Sequence, residues 1–289
     1  MATISFMQEN KLEAVANFIA EMNNKESFHI GYCGRDSTEI KQYIKEEIPY
    51  NTSFITAYDG GKLVGVLGFD PDIDSGNAEI WGPFALANHW NTVDEMWEKM
   101  IEILPKNISS VSLFPNKRNK HVLEFAQKYQ FNKESEEAIL VFDRSNSHLL
   151  QEASLEELTP KFYDAMEQLH DKTFPGTYYS GRQIIERLDE YKKVFIRKEN
   201  EELIGYIYVE AEPEFGDASI EFFGVLEDKR GLGIGGQLLK GAIRWLFTFE
   251  AIDSITLCVN MKNDNAIRLY QKVGFTLQDE LCFFKKRIL

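Results

Sequence analysis

One spacing constrains the fold of this chain more than any other: the sequence repeats itself about 140 residues on. Leu63-Val64-Gly65-Val66-Leu67-Gly68-Phe69 lines up with Leu203-Ile204-Gly205-Tyr206-Ile207-Tyr208-Val209, at an offset of 140. At the same offset Ala78 and Ile80 meet Ala218 and Ile220. Residues 110–116 (SVSLFPN) line up with 254–260 (SITLCVN), and 125–131 with 269–275, both at 144. Solenoid repeats run about 20–50 residues, so a period this long means duplicated domains. The length, 289 residues, accommodates two domains of ordinary size. Residues 1–146 and 147–289 are therefore expected to be two copies, with a polar linker at 145–154 (SNSHLLQEAS).

Hydrophobic periodicity gives each copy alternating helices and strands. In the second, helices are predicted at 155–174, 181–191, 237–249 and 263–273, the first opened by a Ser154/Glu157 capping box. Strands are predicted at 194–198, 203–211, 218–225, 255–259 and 281–287. The first copy repeats the order, with helices at 10–23, 37–47, 93–104 and 119–129 and strands at 54–58, 62–69, 78–84, 111–114 and 138–142. The fold class is α/β (α+β), each copy a mixed, mostly antiparallel sheet flanked by helices.

Composition excludes several classes. A formal charge of −14 argues against a nucleic-acid partner and allows a cationic substrate to be steered in. No apolar run approaches ~18 residues, so no membrane span is expected. The N-terminus has neither a basic n-region nor an apolar h-region, so no secretory signal is expected. Three unpatterned cysteines fit a reducing cytoplasm. The five histidines lack metal-ligand spacing, so no metal is expected and most are read as surface residues.

The second copy carries one chemical signature. Residues 225–239 (VLEDKRGLGIGGQLL) read as a strand end, a charged turn, a glycine-rich loop and a helix start. Backbone N–H groups at a helix N-terminus lack partners and face the positive end of the dipole, so Arg230, Gly231, Leu232, Gly233, Ile234, Gly235 and Gly236 make a phosphate site. No Gly-Lys-Ser/Thr follows, which excludes a Walker A loop. Gly231, Gly233 and Gly236 spell GxGxxG, but the next strand ends at Asn260 rather than at an acidic residue. Opposite this loop the first copy has ANHWNTVDEM, with no glycine and with Asn91 or Thr92 to cap a helix.

Downstream follows Asn265-Ala266-x-x-Leu269-Tyr270-x-x-x-Gly274-Phe275. Together, VxxxxRGxGIGxxLL and NxxAxxLYxxxGF resemble the acetyl-CoA motifs of the GNAT N-acetyltransferase superfamily. The resemblance implies acetyl-CoA as co-substrate and a glycine loop gripping its pyrophosphate. It also implies a preceding strand beside its pantetheine arm and a tyrosine, here Tyr270, protonating the departing thiolate. In the first copy Ala126 stands for Tyr270 and His121 for Asn265. That half is therefore read as a degenerate copy without coenzyme A that packs on the second, as in tandem GNAT proteins with one working and one decayed half.

Acetyl transfer to an amine needs a base, because a free amine titrates near ~10.4, and a donor for the oxyanion. The amides of Phe223, Gly224 and Val225 are the candidate donors if a bulge or splayed strands leave them unpaired. Glu221 is the candidate base; Asp217, Glu210 or a water chain are alternatives. Asn260 is a candidate for holding substrate or water, and Asn265 for bonding the coenzyme or capping its helix. Tyr178 and Tyr179, in the loop between the first two helices of the second copy, are candidates to line the acceptor pocket. The expected activity is acetyl transfer from acetyl-CoA to a small-molecule or peptide primary amine by direct attack in a ternary complex. A non-catalytic acetyl-CoA sensor is the alternative. The acceptor and the oligomeric state are left open.

Overall fold

The computed structural model describes residues 2–150 and 155–288. The chain forms two compact units: Met1–Glu137 with Glu280–Leu289, and Ala138–Asp279.

The first unit contains β1 (Thr3–Phe6), α1 (Leu12–Asn23), α2 (Ser37–Glu46), α3 (Tyr50–Ser53), β2 (Phe54–Asp59), β3 (Lys62–Asp72), β4 (Asn77–Ala85), α4 (Thr92–Ile103), β5 (Ser110–Leu113) and α5 (Lys120–Lys128). It ends with the start of β6 (Asn132–Asp143). Strands β1 to β4 pair antiparallel in sequence order, and β4 pairs parallel with β5 through Asn77↔Ser110.

The second unit takes the rest of β6, then β7 (Glu156–Glu157), α6 (Tyr163–Thr173), α7 (Gly181–Glu186), β8 (Lys192–Glu199), β9 (Glu202–Glu212) and β10 (Asp217–Val225). It continues with α8 (Ile234–Leu246), β11 (Ser254–Asn260), α9 (Asp264–Val273) and the start of β12 (Thr276–Arg287). Its strands lie in the order β6-β11-β10-β9-β8-β7. Alternation along β9 feeds two cores. Ile207 and Val209 pack with Leu238, Ile243 and Leu246 of α8, while Tyr206 and Tyr208 pack with Met166, Leu169 and Ile184 of α6 and α7. Among the described residues no helix is long and apolar enough to cross a membrane.

The division differs from the expected boundary at 146/147 because the closing strands are exchanged. Phe284–Arg287 of β12 pair antiparallel with Ser110–Leu113 of the first unit. Ala138, Leu140 and Phe142 of β6 pack in the core of the second, with Ile255 and Leu257. A strand's apolar alternation fixes which face is buried, not which edge it joins.

Three further corrections concern helices. The helix expected at 155–174 starts only at Tyr163: Glu156 and Glu157 pair with Ile196 and Phe195, and Pro160 opens a 3-10 turn. A proline inside the longer helix would have broken its ladder. Ser154 of the proposed capping box, with linker residues 151–153, lies outside the described residues. The helix expected at 181–191 ends at Glu186, and Asp189 Oδ1 accepts from the amides of Tyr191 and Lys192. In the first unit Asn91 holds the cap position of α4 without a side-chain bond, and the Thr92 hydroxyl donates to His89 O.

Candidate active site

The site of the second unit begins with an irregularity in β10. Ile220 pairs with Val209 but Phe222 pairs with Tyr208, so Glu221 is the extra residue of a β-bulge. The bulge resets the alternation. Ile220 packs in the α8 core and Phe222 in the α6/α7 core, while Phe223 packs against the α8 core. Glu221 and Phe222 thus share the α6/α7 face, and Phe223 turns toward α9.

Beyond the bulge, β10 has one hydrogen-bonding edge in use. Leu226 N donates to Ile204 O at 3.0 Å, and Gly224 and Phe222 follow at alternate positions of the same ladder. In an antiparallel ladder the intervening amides, those of Phe223 and Val225, face the other way. The parallel register of β10 with β11 on that side consists of the pair Ser219↔Thr256. The two amides therefore point to the β11 side, beyond the Ser219↔Thr256 pair. Of the three expected oxyanion donors, Gly224 is excluded because its amide points to β9.

The glycine loop links the end of β10 to α8. Arg230 is extended, at φ −69° and ψ 155°, and its Nε donates to Val225 O at 3.1 Å. Gly231 and Gly233 have φ of +80° and +82°, and a Cβ at either would meet nothing within 4 Å. Their backbone conformation, rather than any crowding, calls for glycine. Gly233 is the N-cap of α8 and supplies no side chain to it, whereas Ser180 caps α7 and Asn263 caps α9. The first amides of α8 are therefore open to an anion, as pyrophosphate recognition requires. Gly235 has another role: its Cβ would lie 3.1 Å from Leu269 and 3.3 Å from Phe223. Leu232 is exposed at the tip, while Ile234 is buried in the core and offers only its amide.

Tyr270 lies on α9, 7% exposed, with its ring edge-on to Phe223 and Phe275, each at 5.8 Å. Burial pushes its phenol above the ordinary value, with the nearby Cys258 thiol adding to the shift. The hydroxyl stays protonated at neutral pH and can act as a donor. Asn260 closes an Asx-type turn, accepting from Lys262 N at 3.0 Å. The α9 cap expected of Asn265 is made by Asn263, and Asn265 is exposed in the first turn.

On the α6/α7 face the Tyr178 hydroxyl donates to Glu221 Oε2, and its ring packs on Phe222 at 4.8 Å. Burial raises the Glu221 carboxyl above the ordinary carboxylate range, more than the Ser219 and Tyr178 hydrogen bonds lower it. Tyr179 lies under the Arg187 guanidinium at 4.2 Å. Arg187 pairs with Glu210 at 3.2 Å, and the Tyr208 hydroxyl donates to the same carboxylate at 2.5 Å. Asp217 accepts from Ser254 Oγ at 3.1 Å. Both carboxylate alternatives to Glu221 thus have partners of their own. Burial, then the neighbouring Glu210, Asp217 and Glu221 carboxylates, also raise the Glu212 carboxyl above the ordinary range.

Sequence reasoning missed His170. Not a surface residue, it is 0% exposed, with Nε2 2.8 Å from Tyr179 O and Nδ1 2.7 Å from the Tyr206 hydroxyl. The signal was available: His170 continues the apolar stripe Phe162, Met166, Leu169 at helical spacing. His29 is also buried. Among the described residues no group of three or more His, Cys, Asp or Glu could hold a metal ion.

Comparison with known proteins matches this arrangement to a family. The model of the Acetyltransferase (GNAT) family matches residues 163–275. A mycothiol acetyltransferase of Corynebacterium aurimucosum is 33% identical over 79 residues, 27% of this chain and 25% of that protein. A spermine/spermidine N(1)-acetyltransferase of Bacillus subtilis is 30% identical over 105 residues, 34% of this chain and 68% of that protein. The chain thus spans a quarter of the first relative's length and about two thirds of the second's. A tandem GNAT protein from the clavulanic acid biosynthesis pathway superposes with a TM-score of 0.69 at 12% identity, covering 100% of this chain and 99% of that one. With the uncapped glycine start of α8, the bulge in β10 and the tyrosine on α9, these matches establish that the chain belongs to the GNAT acetyltransferase family.

Proposed function

We propose that the second unit transfers an acetyl group from acetyl-CoA to a primary amine by direct attack in a ternary complex. The observation that carries this reading is the uncapped start of α8 beside the end of β10. That start would take an anion, the amides of Phe223 and Val225 point to the β11 side, and Glu221 stands at the bulge on the α6/α7 face.

The residues present fit acetyl-CoA. Amides of 231–236, with Arg230 beside them, would hold the pyrophosphate. The bound thioester supplies the acetyl group. Glu221 takes the proton of the incoming amine, its raised pKa making it a stronger base than an ordinary carboxylate. The amides of Phe223 and Val225 stabilise charge developing on the carbonyl oxygen. Tyr270 gives its proton to the departing sulfur. Tyr178 orients the Glu221 carboxylate, and Tyr178 with Tyr179 presents rings to a cationic acceptor. Glu210, Glu212, Asp217 and Glu221 favour an amine carrying further positive charge, in keeping with the spermine/spermidine relative.

The first unit is read as a copy without coenzyme. At the start of α4, Trp90 occupies the position of Arg230 and stacks on His121, which occupies that of Asn265, with centroids 4.8 Å apart. A stacked ring pair thus takes sequence positions that carry Arg230 and Asn265 in the second unit.

Release of free thiol from acetyl-CoA across an amine panel tests the reading. Wild-type release should depend on the amine, and kcat/KM should fall as pH drops through the raised Glu221 value, because only the ionised carboxylate accepts a proton. Glu221→Gln should lose about 10²–10⁴ in kcat/KM and this acidic limb together. Release without an amine, or a pH limb that survives in Glu221→Gln, would refute the assignment.

A further inference from the structure

The buried imidazole of His170 takes no part in the steps above, yet it is joined to them. The loop at 174–180 carries Tyr178, which is 59% exposed and is tied to β10 by its hydroxyl on Glu221 and its ring on Phe222. Within the loop, Gly176 has φ +73°, and a Cβ there would meet nothing within 4 Å. His170 touches both ends of the loop: Phe174 packs on its ring at 5.4 Å, and the Tyr179 carbonyl lies 2.8 Å from its Nε2. The Tyr179 carbonyl can only accept, so His170 Nε2 carries the proton and donates to it. Nδ1 is then the acceptor for the Tyr206 hydroxyl, which fixes the tautomer. Phe222 meets the imidazole edge-on at 4.9 Å, and the same Phe222 carries the Tyr178 ring at 4.8 Å. Burial lowers the imidazole pKa, against the opposing effects of the Tyr179 hydrogen bond and the Asp171 carboxylate, and so keeps it neutral.

We propose that His170 is a positioning residue: by clamping the Tyr179 backbone from beneath, it holds the Tyr178 hydroxyl on Glu221. Its effect on turnover rests on the reading of Glu221 as the base. Its effect on the loop does not, and the two are measured separately.

The test compares His170→Phe, which keeps a ring but removes both hydrogen bonds, with His170→Gln, which retains a donor. Amide exchange at 174–180 should quicken roughly tenfold in His170→Phe and stay near wild type in His170→Gln. Acetyl-CoA affinity should remain within about twofold in both, since neither touches the glycine loop. Amine kcat/KM should fall roughly tenfold in His170→Phe, and adding Tyr178→Phe should cost nothing more. Unchanged loop exchange in a folded His170→Phe, or a fully additive Tyr178→Phe loss, would overturn the proposal. If His170→Phe fails to fold, Tyr206→Phe decides: loop exchange should quicken a fewfold, and no change overturns the proposal. If the wild type transfers acetyl to no amine, the functional reading fails while the exchange result still decides the clamp.

Discussion

Replacing Gly233 by alanine separates the conformational demand of the loop from its steric surroundings. At φ +82° an L-residue is strained by about 1–2 kcal/mol. No atom lies within 4 Å of the added methyl, so crowding contributes nothing. The loop is exposed, and one outcome is that it relaxes to negative φ when empty. In that case the folded chain loses little stability, but the bound state must restore the left-handed turn. The strain then appears as weaker coenzyme binding: 1–2 kcal/mol corresponds to about 5–30-fold in Kd. If the loop cannot relax, the same energy appears as lower thermal stability with affinity kept. Calorimetric titration with acetyl-CoA and a melting curve together account for it. Gly61→Ala is the control, because Gly61 has φ +81° and equally open surroundings in a turn of the first unit. It should show the strain only as stability, with no change in Kd. Wild-type affinity and wild-type melting together in Gly233→Ala would refute the conformational argument, and an equal loss of affinity in Gly61→Ala would refute its location.

Two further substitutions probe single steps. Arg230→Glu should weaken acetyl-CoA binding at least roughly tenfold at low salt, and raising the salt should narrow the difference, because the side chain is exposed. A salt-independent loss would point to misfolding of the loop instead. Tyr270→Phe keeps the ring contacts with Phe223 and Phe275 and should lower kcat by about 10²-fold with unchanged acetyl-CoA affinity. Unchanged kcat under conditions where chemistry limits turnover would remove Tyr270 as the acid.

Much of the site was legible because its chemistry is local. A helix start that binds phosphate favours closely spaced glycines, and positions 231, 233, 235 and 236 supply them. Tyr270 follows at fixed helical spacing from Asn265 and Leu269, and it arrives on α9 facing Phe223. What stayed hidden depends on partners distant in sequence. SIEFFGV reads as a regular strand, and only the register against β9 reveals Glu221 as a bulge residue with Phe222 beside it on one face. The exchange of closing strands escaped for the same reason, since residues 281–287 alternate equally well beside either unit. His170 was hidden by expectation rather than by physics. A polar residue on an apolar stripe is buried only if both ring nitrogens find partners, and those partners, Tyr179 and Tyr206, lie on other elements.

The central claim is that one half of a duplicated chain binds acetyl-CoA through the start of α8. Its most direct test is the stoichiometry of acetyl-CoA binding by calorimetry on the full chain. One site per chain is expected, weakened by Arg230→Glu and unaffected by Trp90→Ala. Two sites, or a single site that tolerates Arg230→Glu but is weakened by Trp90→Ala, would contradict it, and absence of binding would remove the transferase reading altogether.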